Sequence, residues 1–338
     1  MLHTKSCILS ITCLFFFSNS LSQSNGIANE KLDYFEKKTK VIYSQIVEFN
    51  KRILLKKSES KAIRLKEEML HHLALERANL KADDLRNEKE LSKSFVAFLN
   101  ATENYLQAQP EKLVEYTEKH FSDSIVHQQF CQISNLEIIS AQAKSLQDKI
   151  EIYCIEYKVL KREKKTPINK YFESLKNSVR YANQIQNVIM EIRIKERDFF
   201  SAFEKDSLEQ ADKYRISLIH FSDQANLFLR TFPNFPGERT LKSTAIRSLE
   251  EYKMEGHRKL LRLLDLRKKE QSLTNNDLAS HDKNSAYKMS FHNPKRPFHK
   301  PSEKEKFLCH SILAEREIHE DRFDHAYKEF LQEKMVPW

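Results

Sequence analysis

Residues 29–53 read NEKLDYFEKKTKVIYSQIVEFNKRI, and this stretch carries the pattern that decides the fold. Its apolar positions follow one another at steps of three and four, which places them on one face of an α-helix. A helix with such a stripe must bury it against other elements, so the stretch predicts a member of a helical bundle. The stripe consists of Leu32, Phe35, Thr39, Ile42, Ile46, Phe49 and Ile53.

The same spacing recurs along the chain and predicts further helices. They cover about residues 60–80, 87–109, 168–204, 207–232, 238–271 and 303–338. Residues 121–166 are ambiguous, because Ile150, Ile152 and Cys154 alternate as in a short strand, whereas their Gln- and Lys-rich flanks favour a helix. We predict a helix there. The segment from Phe232 to Gly237 contains two prolines and a glycine, which end a helix.

Glycine is almost absent, with three residues in a chain of 338. The dinucleotide-binding fingerprint, the phosphate-binding P-loop and the serine nucleophile elbow each require several glycines at fixed positions. This composition therefore excludes those three classes of site. We expect a non-enzymatic, all-α protein that binds no cofactor and no metal.

The first 22 residues have the features of a cleaved signal peptide. Lys5 precedes an apolar run from Cys7 to Phe17, and the small residues Ser20 and Ser22 lie at the positions that precede a cleavage site before Gln23. The run is too short to span a bilayer. We expect export to the periplasm or the cell surface, with no transmembrane segment in the mature chain.

The chain has a formal net charge of +9. Such an excess favours contact with anionic surfaces such as lipid head groups or polysaccharide, although it also serves simply to keep a protein soluble. Nucleic acid is not expected to be the ligand of an exported protein.

Cysteines are too few for a disulfide scaffold. After cleavage Cys131, Cys154 and Cys309 remain. On one continuous helix Cys131 and Cys154 would be ~34 Å apart and could not be bridged, whereas on two arms of a hairpin they would face each other. We favour free, buried thiols, since an odd and small number of cysteines does not form a framework.

The helices divide into two tandem antiparallel bundles, which we assign to residues 29–166 and 167–271. A polar, basic linker is predicted for residues 272–302, and residues 303–338 form a terminal helix that packs on the second bundle. Ser302 and Glu305 have the spacing of a capping box at the start of that helix. Shifted by 150 residues the two sets share a few identities, among them Phe49 with Phe199 and Leu91 with Leu241. This favours a diverged duplication over two unrelated bundles.

The segment Phe232-Pro-Asn-Phe-Pro-Gly-Glu-Arg-Thr-Leu241, with Ala245, Leu249 and Tyr252 after it, resembles the inter-helix segment of the leptospiral-type bacterial surface protein family. Residues 323–330, Phe-Asp-His-Ala-Tyr-Lys-Glu-Phe, are similar to the terminal helix of that family. The resemblance covers about residues 168–335, and residues 29–120 only as a faint second copy. It implies an exported helical bundle of unknown activity and brings no catalytic residues with it.

Two groups of side chains are candidates for binding. The first is a basic group that can contact an anionic surface through charge, or can instead belong to a solvated spacer; it comprises Lys283, Lys288, Lys295, Arg296, Lys300, Lys304 and Lys306. The second is a possible metal site on the terminal helix, where Asp321 and His325 are four residues apart and so share a helical face. Its other members would be Cys309, His310 and His319. Charged residues on the outer face of an amphipathic helix explain this second group more simply.

These observations predict an exported helical-bundle protein of the bacterial cell envelope with a structural or interaction role. The alternative is a binding module for an anionic or apolar envelope ligand, held by the basic linker or in a groove between helices lined by aromatic residues such as Phe199, Phe203 and Phe221. A metal-dependent enzyme that uses the His/Asp group of the terminal helix is the third hypothesis. The partner and the oligomeric state do not follow from the sequence.

Overall fold

The computed structural model describes residues 3–55, 59–82, 89–108, 124–157, 159, 167–282 and 302–335. These residues form nine α-helices and no strand, which confirms the all-α prediction for them. The helices are α1 (His3–Leu54), α2 (Glu59–Ala82), α3 (Lys89–Gln107), α4 (Ser124–Glu156), α5 (Ile168–Glu204), α6 (Leu208–Thr231), α7 (Thr240–Glu255), α8 (Leu261–Asp282) and α9 (Glu303–Lys334). A π-helical turn, Gly256–Leu260, connects α7 to α8.

The chain forms two compact units. Unit 1 comprises Met1–Arg180 and Leu331–Trp338, and unit 2 comprises Tyr181–Phe330. The division falls inside α5, whereas the sequence placed the boundary after residue 166. The first part of α5 belongs to unit 1 because Phe172 is buried there against the rings of Tyr43 and Phe98, at centroid distances of 5.0 and 5.4 Å.

Unit 1 packs α1 against α2, α3 and the first part of α5, and this buries the predicted stripe of α1. Phe35, Ile42, Ile46 and Phe49 are inaccessible to solvent, and the ring of Phe35 packs edge-on against Phe95 of α3 at 5.1 Å. Only the last predicted position differs, since Leu54 rather than Ile53 is buried. Rings in edge-to-face contact add to the apolar burial that holds such a core together.

A buried hydrogen bond between side chains crosses the core of unit 1. The hydroxyl of Tyr105 on α3 donates to Asn50 Oδ1 on α1 at 2.7 Å, and the amide of Asn50 donates to the Ile46 carbonyl at 2.8 Å. A buried polar group is tolerated only when it is hydrogen-bonded, so this pair fixes the register between the two helices.

The uncertain segment of the sequence is helical. α4 covers Ser124–Glu156 without interruption, so the strand alternative for Ile150 to Cys154 is wrong. Cys131 and Cys154 lie on this one helix, and 23 residues of helix keep them ~34 Å apart. The hairpin that would have paired them is therefore excluded. Cys154 and Cys309 form no disulfide among the described residues, and both are half-buried rather than buried as predicted.

Unit 2 is built around α5, α6, α7 and α9. The ring of Tyr181 lies among Phe232, Phe235 and Phe330 at centroid distances of 5.3–5.4 Å. Phe232 and Phe235 come from the proline-rich segment that ends α6, as predicted, and Gly237 adopts a φ of 69° in the turn that follows. Glycine adopts this left-handed conformation without a steric penalty, so the turn leads directly into α7.

Two details of the second helical set differ from the prediction. The helix predicted for residues 238–271 is interrupted by the π-helical turn, and α8 continues to Asp282. Residues 272–282, assigned to the linker, are therefore helical. This stretch has no apolar stripe to reveal it, yet it contains neither glycine nor proline to end the ladder of backbone hydrogen bonds.

An ion cluster fixes the start of α9 in unit 2. The guanidinium of Arg267 on α8 forms two hydrogen bonds with the Glu305 carboxylate, one of them Nε to Oε2 at 2.9 Å, and it also binds Asp206 in the turn between α5 and α6. The side chains of Arg267 and Glu305 are only 6% and 2% exposed. The guanidinium lies 4.3 Å from the centroid of the Phe203 ring. We call these residues the Arg267 cluster.

The capping box at α9 is present in its first half. Ser302 Oγ accepts a hydrogen bond from the Glu305 backbone N–H at 3.3 Å, as predicted. The Glu305 carboxylate, however, is the buried partner of Arg267. Glu305 therefore takes part in both interactions: its backbone N–H in the helix cap and its side chain in the ion pair.

Several positions that the predicted duplication matches are buried in both sets of helices, as the core positions of any two helical bundles are, so the duplication stays a prediction. Phe49 and Phe199, Leu91 and Leu241, and Leu99 and Leu249 are buried in both sets. A shift of 149 residues aligns α2 with α6, where Ala62 matches Ala211 and Met69 matches Leu218, again all buried. Glu88 lies outside the described residues, so its predicted match with Glu238 is untested.

Candidate functional site

Five of the seven predicted basic-surface residues, Lys283, Lys288, Lys295, Arg296 and Lys300, lie outside the described residues. Lys304 and Lys306 are exposed on the first turn of α9, and Lys306 pairs with Glu303 at 2.7 Å. The anionic-surface hypothesis therefore stays a prediction.

The proposed metal ligands of the terminal helix do not converge. His319 Nδ1 pairs with Glu251 of α7 at 2.5 Å, and the exposed His325 pairs with Glu329, one turn further along its own helix. In the part of the chain that the structure describes, no three His, Cys, Asp or Glu residues are grouped so that they could hold a metal ion. The helix predicted for this stretch is confirmed, and the members of the group lie at different angles around α9.

The most unusual site in unit 2 is a pair of neighbouring carboxyl groups, one on a buried residue and one on a half-buried residue whose Oε1 is shielded from solvent. Glu196 of α5 is only 1% exposed, because it lies between Ile192 and Phe199 on the apolar face of the helix. Glu255 is the last residue of α7, three residues after the buried Tyr252. The two carboxyl groups are within hydrogen-bonding distance of each other. We call Glu196 and Glu255 the carboxyl pair.

Two arginines and a third acid surround the carboxyl pair. Arg316 of α9 lies 3.2 Å from Glu196 Oε2 and also pairs with Glu320 at 3.3 Å. Arg193 Nε, one turn before Glu196 on α5, lies 3.2 Å from the same Glu320 oxygen. The hydroxyl of Tyr252 donates to Glu320 at 3.2 Å. Three helices thus contribute charged groups to one network, in which Glu196 is buried and Arg193, Arg316 and Glu320 are half-buried.

Burial dominates the titration of these groups. It raises the pKa of Glu255 well above the ordinary value, and the neighbouring Glu196 raises it further. Burial also raises the pKa of Glu196, against the opposing effect of Arg316. For Arg316, burial disfavours the charged form, but Glu196 and Glu320 outweigh it and the pKa is raised. A carboxylic acid in an apolar site holds its proton because the ion is poorly solvated there.

The π-helical turn begins directly after Glu255. Such turns are rare and occur frequently at functional sites. Gly256 allows the turn to pass close to α6: a Cβ at this position would lie 2.8 Å from Ile219 Cγ1. The Gly256 carbonyl accepts a hydrogen bond from Arg215 Nη1 at 3.3 Å. The turn is thus supported by α6 next to the carboxyl pair.

Sequence reasoning missed the carboxyl pair, because a glutamate in an amphipathic helix ordinarily lies on the solvent face. A signal was nevertheless present. At the shift of 150 residues Glu196 matches Ile46 and Glu255 matches Tyr105, and both of these residues are fully buried. At this shift, two acids stand where the first set of helices has core side chains.

Unit 1 has a second charged cluster and a shallow groove. Glu76 of α2 is almost fully buried, accepts a hydrogen bond from Tyr34 at 2.7 Å and pairs with Lys38 and His72. The groove encloses about 400 Å³ along α1 and α2, and its lining includes Lys37, Lys40, Val41 and Leu65.

The groove predicted among aromatic residues is not the groove of unit 1. At the predicted place, the aromatic side chains themselves fill the space between the helices. Phe199 and Phe203 are buried and stack on each other at 5.9 Å, and Phe221 is half-buried beneath the Lys195 ammonium. These side chains are core packing.

In the comparisons with known proteins, no family model matches the chain, and no curated protein or solved structure is significantly similar to it. Among the helices described, none combines the length and the apolar character that crossing a membrane requires.

Proposed function

We propose that this chain is an exported, non-enzymatic helical-bundle protein of the bacterial cell envelope, with a structural or interaction role. The observation that carries the proposal is the way in which each unit uses its side chains. The apolar stripes pack against neighbouring helices, and buried charges such as Arg267 and Glu305 neutralise one another within the fold. This is the arrangement of a scaffold. The signal-like N-terminus and the resemblance to a surface-protein family support the envelope as its location.

Cell fractionation tests the location. A C-terminally tagged chain is expressed in a bacterial host and followed in the cytoplasmic, periplasmic and membrane fractions. We expect the tagged protein in the periplasmic or membrane fraction, with an N-terminus at Gln23 after signal cleavage. A full-length chain that stays in the cytoplasm would overturn the proposal.

A second candidate function is binding of an anionic envelope ligand, and the groove of unit 1 favours it. Two lysines lie beside apolar side chains there, and the acid in the lining, Glu48, is paired with Arg52 at 2.8 Å. The groove therefore presents positive charge beside an apolar surface, a combination that suits an amphiphile with an acidic head. The predicted basic linker offers the same charge without the groove.

Vesicle binding separates these two sources of affinity. Phosphatidylglycerol vesicles are mixed with the wild-type chain, with a variant in which Lys37 and Lys40 are glutamine, and with one lacking residues 283–301. Loss of binding in the first variant assigns it to the groove, and loss in the second assigns it to the linker. In either case binding should weaken as salt rises. If the wild-type chain and both variants bind the vesicles equally, the ligand hypothesis is refuted in both its forms.

A further inference from the structure

We propose that Glu196 and Glu255 hold one proton between them, and that release of this proton loosens unit 2 around the π-helical turn. The first support is a hydrogen-bonding deficit. Both oxygens of Glu196 and Oε1 of Glu255 are buried. Glu196 Oε2 has the Arg316 ion pair at 3.2 Å, whereas no donor among the described residues forms a hydrogen bond with Glu196 Oε1 or Glu255 Oε1. Buried acceptors without a donor are costly, and a proton between the two carboxyl groups supplies one.

The second support is the charge balance of the network. α5 contributes Arg193 and Glu196, α7 contributes Glu255 and the neutral Tyr252, and α9 contributes Arg316 and Glu320. Arg193 and Arg316 carry two positive charges. Arg316 pairs with Glu196 and Glu320, and Arg193 pairs with Glu320 and, at 3.4 Å, with the half-buried Asp324 of α9. The negative charges of Glu196, Glu320 and Asp324 already outnumber these two, so a further negative charge on Glu255 would have no counterion there.

The remaining neighbouring charges are already engaged. Lys259 of the π-helical turn is bound to Glu315 of α9, although it still favours ionisation of Glu255 to a small extent. Arg215 of α6 binds Asp212 at 2.7 Å and the Gly256 carbonyl. His319 of α9 binds Glu251. Neutralising Glu255 with a proton is therefore the arrangement that leaves the fewest buried charges unmatched.

Because of the position of Glu255, a change in its protonation should affect the backbone of the π-helical turn. It is the residue directly before Gly256, where the π-helical turn starts and packs against α6. Two adjacent carboxylates in this low-dielectric site repel each other. The end of α7 and the turn after it, rather than the long helix α5, are expected to move when the second charge appears.

The sign of the pH dependence follows from the direction of the shift. A carboxyl group that titrates at higher pH in the folded chain than in the unfolded chain keeps its proton longer when folded. Its stabilising contribution is complete below the unfolded titration range, near pH 4, and is lost as the pH rises through the folded value. Above the unfolded range, each pH unit should raise the unfolding equilibrium constant about tenfold for the one proton held, until the folded pair has titrated.

The test compares wild-type protein with Glu255→Gln, since glutamine imitates the protonated acid and can donate to Glu196. Equilibrium unfolding is measured from about pH 5 to about pH 9. We expect the tenfold loss per pH unit in the wild type and its absence in the variant. Glu209→Gln is the matched control, because Glu209 is exposed on α6 and paired only along its own helix with Lys213. It should follow the wild type.

A second measurement is independent of stability. The wild-type infrared spectrum at neutral pH should contain the carbonyl band of a protonated carboxylic acid, and this band should be lost in Glu255→Gln or, if that variant does not fold, in Glu196→Gln. Amide hydrogen exchange over residues 252–261 should speed up with pH more in the wild type than in the variant, beyond the intrinsic effect of pH. Parallel pH profiles of the wild type and the variant, or no acid band in the wild type, would overturn the proposal.

Discussion

Removing Arg267 should be among the most damaging single changes in unit 2. The Arg267→Met substitution keeps a long apolar side chain but leaves the Glu305 carboxylate, which is 2% exposed, without its two charge-assisted hydrogen bonds. Breaking a buried pair by removing one partner costs about 3–5 kcal/mol, because the remaining charge is uncompensated. Loss of the cation–π contact with Phe203 adds about 1 kcal/mol. We expect the free energy of unfolding to fall by about 4–6 kcal/mol.

Urea unfolding of the purified chain at neutral pH measures this loss, and amide exchange in the first turns of α9 locates it. The matched control is Arg230→Met, since Arg230 forms an exposed pair with Glu250 at 3.0 Å. Exposed pairs contribute less than about 1 kcal/mol, so this variant should remain close to the wild type.

The double variant Arg267→Met/Glu305→Met separates charge from packing. Replacing both members of a buried pair by apolar groups is often nearly neutral, so most of the lost stability should return. The reasoning is refuted if Arg267→Met costs less than about 1 kcal/mol, which would mean that the pair is solvated. It is equally refuted if the double variant is as unstable as the single one.

Three further changes test other parts of the chain. Gly256→Ala should lose about 1 kcal/mol in thermal or urea unfolding, because crowding against α6 outweighs the better helix propensity of alanine, whereas Gly26→Ala, with open space around it, should lose nothing. Tyr105→Phe removes the donor to Asn50 and should cost about 1–3 kcal/mol by the same measurement. Burial opposes ionisation of Glu76, but its hydrogen bonds outweigh this and lower its pKa, so this group stabilises the fold above the unfolded titration range and the benefit is lost as the pH falls. Acid titration followed by circular dichroism should therefore show a steeper loss of helix below about pH 4.5 in the wild type than in Glu76→Gln, and equal slopes would contradict this.

Helices with a clear apolar stripe were predicted well, because burial of the stripe is what holds them in place. In α1 the spacing alone identified Phe35, Ile42 and Phe49 as core residues. α8 was predicted too short, since residues 272–282 are helical without an apolar period.

The unit boundary inside α5 could not be read from the sequence. The apolar stripe of α5 runs through Phe172 and Leu175 as smoothly as through Ile189 and Phe199, and nothing in it indicates which neighbours each residue will meet. The division depends on long-range contacts such as that of Phe172 with Tyr43. Single-sequence periodicity contains no information about them.

The candidate site was the least predictable part. Lys, Asp, Glu and His on α9 attracted attention because their residue types are chemically versatile, yet they are mostly paired on the surface. Glu196 looked ordinary in composition and proved exceptional in position. Its burial would have been suspected only from its match with Ile46 under the predicted duplication, a comparison that needs the register between the two sets of helices.

The π-helical turn has a consequence for the chain as a polymer. Four buried residues in this region are spaced four apart: Tyr252, Gly256, Leu260 and Leu264. In a regular α-helix, residues at this spacing would drift progressively around the helix axis and away from the core. The π-helical turn accommodates one residue more than an α-helical turn, so the buried faces of α7 and α8 both remain directed toward the core. Shortening the chain by one amino acid within 256–260 should then yield an uninterrupted helix with its flanking contacts preserved. The chain should therefore tolerate a one-residue deletion within 256–260, whereas the same deletion elsewhere in its helices would rotate all the side chains that follow it in that helix.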